Sequence, residues 1–291
     1  MAPGLSRWWV RGAHLAEARE WFSRLLDAIP RDQAKWDRGR VLRALAELAL
    51  RQGDLDGAER LFRESLALFR ELDDARGSAY VQTNLALLEM ARGRYADAEP
   101  LLQKCVDLAR VLGETFLVAV NLGNLAIVAH ARGDGDAAAP LFEESLTLAR
   151  RVGDPFLESH FLSYKGRAEL SDGDLVSAEA TFVESLAIAR ELADPFATMW
   201  ALERFAELAA AKHAHERAAT ILGAAAHVRE EIGLSLPLHD EREHACVAAA
   251  TRAALGDDAF DHAWREGSAM DLEDAVRYAL NGQAATGLTG T

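Results

Sequence analysis

A period of forty residues runs through most of this chain and constrains its fold before any single motif is considered. Gly53, Gly93, Gly133 and Gly173 fall forty apart, and so do Asp74, Glu114, Asp154 and Asp194. Set in register, the second half of each block reads GDLDGAERLFRESLALFRELDD, GRYADAEPLLQKCVDLARVLGE, GDGDAAAPLFEESLTLARRVGD and GDLVSAEATFVESLAIARELAD. Self-similarity at this spacing is the signature of a repeat architecture, in which each unit buries its apolar face only against its neighbours.

Each block is expected to be two helices. Ala58, Leu61, Phe62, Ser65, Leu66 and Phe69 recur at the spacing of one helical face. The periodic glycine ends the first helix, where a left-handed residue is needed and glycine meets no Cβ penalty. Asp154-Pro155 and Asp194-Pro195 place a capping carboxylate before a proline at the first helical position. The expected fold is therefore all-α, a right-handed superhelical solenoid of antiparallel helix hairpins. Five repeats are assigned to 35–74, 75–114, 115–154, 155–194 and 195–234, the fifth keeping the frame more loosely. Residues 1–34 form a partial N-terminal repeat: Leu15, Ala18 and Phe22 keep the frame, while Trp8 and Trp9 are what remains of its first helix. This suggests a modified cap or a piece of a longer chain. Residues 235–280 lose the period and read as two or three capping helices, with Asp271 as an N-cap, and 281–291 as a disordered tail.

The small residues Ala46, Ala86, Ala126, Gly166 and Ala206, then Ala58, Ala98, Ala138, Ala178 and Ala218, then Phe62, Leu102, Phe142 and Phe182, resemble the tetratricopeptide repeat in a longer-helix form over roughly Leu15 to Leu234. ERAATILGAAAHVREEIG and LGDDAFDHAWREGSAMDLEDAVRYAL resemble the C-terminal repeat region of large bacterial LuxR-type regulators and related signal-transduction ATPases. What that resemblance implies is a sensor or partner-docking arm. No phosphate-loop motif G-x-x-x-x-G-K-[ST] occurs in the chain, so nucleotide switching is not expected of it.

Composition narrows the function. A formal net charge of −14, with arginines dispersed among acidic residues, opposes direct nucleic-acid binding and an anionic membrane face. Two cysteines support neither a disulfide framework nor a thiolate zinc site, and no apolar run reaches bilayer length, so a cytoplasmic protein without cofactor or metal is expected. His239 and His244 are five apart and diverge on a helix; His213 and His215 belong to a loosened turn.

The repeat frame is an internal control, because a residue type that recurs at one position belongs to the scaffold. Cys105 has Ser65, Ser145, Ser185 and Ala225 as equivalents, a column that wants a small side chain at a helix contact rather than a reactive thiol. The recurrent Glu64, Glu144 and Glu184 are scaffold for the same reason.

The columns that vary lie on the first helices, the inner wall of such a solenoid. One column runs Arg40, Tyr80, Val120, His160, Trp200; the next Ala44, Asn84, Asn124, Tyr164, Arg204; the third Glu47, Leu87, Ile127, Arg167, Glu207. Tyr80, Asn84, Asn124, His160, Tyr164, Arg167, Trp200 and Arg204 are the candidate ligand-binding residues, a mixture of aromatic, amide and guanidinium groups suited to burying and orienting a ligand. Lys165 departs from a column of Leu45, Leu85, Leu125 and Phe205. Either it forms a local ion pair with Glu169, or it is a charge kept for chemistry. The expected function is a binding module whose groove takes a protein or peptide segment, or a small molecule, in bacterial regulation. The alternative is an enzyme with an enclosed pocket, using His160, Tyr164, Lys165 and Glu169 as acid-base groups and Arg204 to hold an anion. Trp8, Trp9 and Trp21 raise a third expectation, homo-oligomerisation through the N-terminal repeat.

Overall fold

The structure, a computed structural model, describes residues 15–30, 34–232 and 238–281. Trp8, Trp9 and the expected tail beyond Asn281 lie outside the described residues. Within them the helices are α1 (Leu15–Ala28), α2 (Lys35–Arg51), α3 (Leu55–Glu71), α4 (Ala75–Ala91), α5 (Tyr95–Val111), α6 (Thr115–Ala131), α7 (Gly135–Val152), α8 (Pro155–Ser171), α9 (Leu175–Glu191), α10 (Pro195–Ala211), α11 (His215–Ile232), α12 (Leu238–Leu255), α13 (Asp257–Ser268) and α14 (Leu272–Asn281). There is no strand among the described residues. First helices start at 35, 75, 115, 155 and 195, so the forty-residue period is kept in the helix starts themselves.

Two compact units hold these elements. One contains α1–α7 and the other α8–α11 together with, from Asp240 onward, α12–α14. The fold is all-α and built of tetratricopeptide-like helix hairpins. From α1 to α7 and from α8 to α11 consecutive helices pack as hairpins, and within each unit a first helix also touches the next first helix: α2 with α4, α4 with α6, α8 with α10.

The chain reverses the same way at both kinds of turn. Gly53, Gly93, Gly133 and Gly173 have φ of 76, 72, 80 and 83°, as the sequence leads one to expect at the end of each first helix. His213 takes that position in the fifth hairpin with φ 60°. The turns between hairpins are also left-handed, at Asp73, Gly113, Gly153 and Ala193, which the sequence pattern did not announce because only two of the four are glycine. In both kinds the next amide reaches back five residues, as in Asp54 to the Ala49 carbonyl and Asp74 to the Phe69 carbonyl, and so satisfies a helix-end acceptor. Aspartate at that position also caps the following helix: Asp54 accepts from the Gly57 amide, Asp74 from Gly77, Asp134 from Ala137 and Asp174 from Ser177.

The repeated apolar column forms the core, with Phe62, Leu102, Phe142 and Phe182 at most 1% exposed. Ala46, Ala86, Ala126 and Ala206 are fully buried opposite them, because a larger side chain there would hold the helices of a hairpin apart. The serine column lies at the same interface. Ser65 donates to the Gly39 carbonyl and Ser185 to the Ser159 carbonyl, in each case 26 residues back. Cys105 occupies that column, buried, with its thiol pushed up by burial. A packing role fits the thiol.

The last three helices close the second unit. α13 lies so close to α11 that a Cβ on Gly267 would stand 1.8 Å from the Thr220 carbonyl oxygen, and one on Gly223 would stand 2.2 Å from the Trp264 carbonyl oxygen. α14 adds Ala275, Val276 and Ala279 to the core shared with α10 and α11. Asp271 caps it by accepting from the Asp274 amide, as expected. α12 is different. Among its described side chains only Thr251 is buried.

Candidate functional site

Two stripes of aromatic residues, one ending on an arginine, run along adjacent first helices of the second unit. On α8 the stripe is Phe156, His160 and Tyr164, and on α10 it is Phe196, Trp200 and Arg204, each spaced four residues apart on one helical face. Forty-residue spacing sets the stripes rung against rung. Phe156 faces Phe196 with ring centroids 5.9 Å apart, and His160 meets Trp200 edge-on at 6.3 Å. Tyr164 lies 5.9 Å from Trp200 and 5.1 Å from His160. These separations are those of attractive aromatic pairs. Guanidinium groups close one end of the cluster: Arg167 lies 4.8 Å from the Tyr164 ring and Arg204 5.9 Å from the Trp200 ring, both within cation-π range. Trp200 is 4% exposed, and its indole N–H has no hydrogen-bond partner among the described residues.

Beside this cluster lies a knot of charge. Arg204 sits 2.8 Å from the Glu207 carboxylate and 3.7 Å from that of Glu203. Glu203, itself 2% exposed, accepts from Arg229 of α11 at 3.1 Å. Arg167 pairs with Glu243 of α12, whose carboxylate is also 3.9 Å from Arg204. These three guanidinium groups and three carboxylates balance, which is what makes burial of Arg167 and Arg204 tolerable, since an uncompensated buried charge costs several kcal/mol. His244 of α12 places Nδ1 3.5 Å from Glu203 and packs edge-on to Trp264. Burial, with Arg229 and Arg204 nearby, pushes its pKa down to about 4.

His160, Tyr164, Arg167, Trp200 and Arg204 thus come together in one place. Tyr164, Arg167, Trp200 and Arg204 are buried rather than exposed along an open wall. Lys165 places Nζ 2.8 Å from Glu169, an ion pair one turn along its own helix. In the first unit Tyr80 stacks on Phe116 at 6.4 Å with the Arg43 guanidinium 5.4 Å from its ring. Asn84 donates to Glu47 at 2.8 Å, and Asn124 donates to the Val120 carbonyl of its own helix. Trp21 of α1 is exposed. Among the described residues no group of three or more His, Cys, Asp or Glu side chains could hold a metal ion, and no helix is long and apolar enough to cross a membrane.

Sequence reasoning missed two parts of this site. Phe156 and Phe196 belong to a column one turn before those singled out, running Trp36, Arg76, Phe116, Phe156, Phe196, and the periodicity could have found it. Glu243 and His244 had no such signal, because α12 lies outside the repeat. His244, one of a divergent pair in the sequence, proves to be a half-buried member of the charged knot.

The tetratricopeptide repeat family matches residues 77–151, and a second tetratricopeptide repeat description matches residues 39–64. Proteins bearing the name HTH-type transcriptional regulator, from Mycobacterium bovis and Mycobacterium tuberculosis, are 37% identical over 84 residues, which is 28% of this chain and 9% of each relative. The chain therefore matches less than a tenth of the length of these relatives. Among solved structures, a signal transduction ATPase with numerous domains and a tetratricopeptide repeat sensor, from Pyrococcus horikoshii, aligns over 98% of this chain and 41% of its own, at TM-score 0.60 and 17% identity. A Rap protein complexed with Competence and Sporulation Factor aligns over 96% of this chain and 74% of its own, at TM-score 0.59 and 13% identity. BtubC from P. vanneervenii aligns over 77% and 92%, at TM-score 0.53 and 21% identity. At such identities these structures share the fold.

Proposed function

We propose that this chain, a tetratricopeptide-repeat protein similar to the repeat regions of bacterial signal-transduction regulators, is a binding module that recognises a protein segment through the first-helix wall of α8 and α10 and serves a regulatory assembly. Repeats of this kind are protein-interaction modules, so the question specific to this chain is where it binds. The observation that carries the assignment is the aromatic and guanidinium cluster of His160, Tyr164, Trp200, Arg167 and Arg204, with a buried indole N–H that has no acceptor among the described residues. A donor left without a partner in a buried setting costs about 1–3 kcal/mol, a cost that an incoming carbonyl or carboxylate would relieve. Aromatic residues and arginine are also the side chains that dominate binding energy at protein interfaces. The regulatory context draws on the mycobacterial relatives, which are named as transcriptional regulators, and on a structural neighbour named for its repeat sensor.

The test is selection of binders from a displayed peptide library on the purified chain, followed by affinity measurement on variants. Tyr164→Ala and Arg204→Ala are expected to weaken selected peptides tenfold or more, and Trp200→Phe to weaken them while leaving the fold intact. Selected peptides that bind all three variants as they bind the parent would place recognition elsewhere.

A further inference from the structure

One end of the wall assigned to binding is already covered from within its own chain. From Asp240 onward, the side chains of α12 that turn inward are Glu243, His244, Val247, Ala248, Thr251, Arg252 and Leu255, a stripe at helical spacing. The start of this stripe lies on the charged knot: Glu243 pairs with Arg167 and approaches Arg204, and His244 rests on Glu203. Further along, Ala248 and Leu255 pack lightly on Ala219, Phe260 and Ala263 of α11 and α13, and Arg252 pairs with Asp257 and Asp261. The stripe is polar or small for most of its length. No apolar side chain of α12 is buried among those described, whereas α11 buries Ile221, Leu222, Val228 and Ile232, and α13 buries Phe260. Thr251, the one buried side chain, has a hydroxyl with no hydrogen-bond partner among the described residues. α12 is thus held by ion pairs and light packing, while its neighbours are held by core. The close approach of α13 to α11 at Gly267 and Gly223 involves no atom of α12, so freeing the start of α12 leaves that contact in place.

We infer that the start of α12, through Glu243, is an intramolecular cover of the Arg167–Arg204 end of the α8–α10 wall, displaced by a protein partner that brings a helix with an acidic side chain on a face of small residues to the same pair. This deepens the binding assignment above and rests on it. The argument for an acidic helix is charge complementarity together with the resident example: Glu243 is the group that the two guanidinium groups receive now. Ion pairs suit exchange of this kind, because a competing carboxylate replaces the interaction group for group, whereas a buried apolar contact would have to be opened first. Low apolar burial also places α12 among the elements that open locally before the whole unit unfolds.

The experiment uses the full chain and its Glu243→Gln variant, with Asp258→Asn, an exposed position on α13, as the control. Amide hydrogen exchange across residues 241–247 is expected to speed up at least tenfold in E243Q, with α14 unchanged, and to remain at the parent rate in D258N. A labelled synthetic peptide copying residues 240–255 is expected to bind E243Q at least tenfold more tightly than the parent, whose wall is occupied, and to lose that gain when Arg167→Gln is added. Unchanged exchange in E243Q overturns the inference whatever a partner does. Faster exchange with a peptide that binds parent and variant alike also overturns it, since the wall would then not be the shared surface. Failure of the groove assignment is read separately, from selected peptides that ignore the Tyr164 and Arg204 substitutions.

Discussion

The Ser145 hydroxyl donates to the carbonyl oxygen of Ala119 at 2.8 Å, joining the second helix of its hairpin to the first across a fully buried interface. Ser65 and Ser185 make the equivalent bond to Gly39 and Ser159. A small residue that can also donate therefore serves the column better than one that is merely small. Ser145→Ala is expected to cost about 1 kcal/mol, the net value of one hydrogen bond whose acceptor still lies within a helix. Ser145→Leu is expected to cost more, about 1–3 kcal/mol or beyond, through overpacking. Urea denaturation followed by circular dichroism ranks the two, and the alanine variant proving the worse would contradict this account.

The close approach of α13 to α11 makes Gly267 a sharper probe. A methyl group there meets backbone at 1.8 Å and not the flexible end of a side chain, so the helices must separate. Gly267→Ala is expected to destabilise the second unit by about 2 kcal/mol or more, against a gain of at most about 1 kcal/mol from helix propensity. Hydrogen exchange should show the loss first in α13. Stability at or above the parent level would mean that the contact is looser than described.

His244 predicts a pH dependence with a definite sign. Its pKa falls from the usual 6.5 to about 4 in the folded protein, because burial and the facing Arg229 and Arg204 disfavour the imidazolium; the neighbouring carboxylate Glu203 is already engaged by both arginines. Between these values the unfolded chain binds the proton and the folded one does not. The stabilisation is thus complete above pH 6.5 and declines as pH falls toward 4, by up to about 3 kcal/mol. Hydrogen exchange of α12 measured from pH 7 to pH 4 and corrected for intrinsic rates checks this. The dependence should disappear in His244→Asn.

Trp200 separates binding from stability. Trp200→Phe keeps an aromatic ring between Tyr164 and Phe196 but removes the N–H that has no acceptor among the described residues. Stability is expected to change by less than about 1.5 kcal/mol, since one unsatisfied donor disappears while some ring area is lost. Binding of selected peptides should fall by roughly tenfold, the worth of one hydrogen bond to a buried acceptor. A large loss of stability with binding intact would reverse that assignment.

Much of the architecture was legible without coordinates because repetition converts a local rule into a global one. Four glycines in one frame announced the ends of four of the five first helices, and the serine column separated packing from chemistry at Cys105. The inter-hairpin turns were less visible, since Asp73 and Ala193 adopt positive φ where Gly113 and Gly153 do so at lower strain, and no residue type marks the position. On the wall, the aromatic columns were readable as far as the period lasted.

What the sequence determined by itself was the hairpin, its length and the order of its faces, because those depend on spacing and on turn chemistry within forty residues. What only tertiary structure decided was the state of the wall. Arg167 and Arg204 look in the sequence like groups waiting for a ligand, yet Glu243 lies 76 residues beyond Arg167 and reaches it only because α12 folds back onto the second unit. The burial of these arginines and the neutral form of His244 are properties of that meeting. Neither arises within a single repeat, because a charge is held in the interior by whatever opposite charge the rest of the fold brings to it.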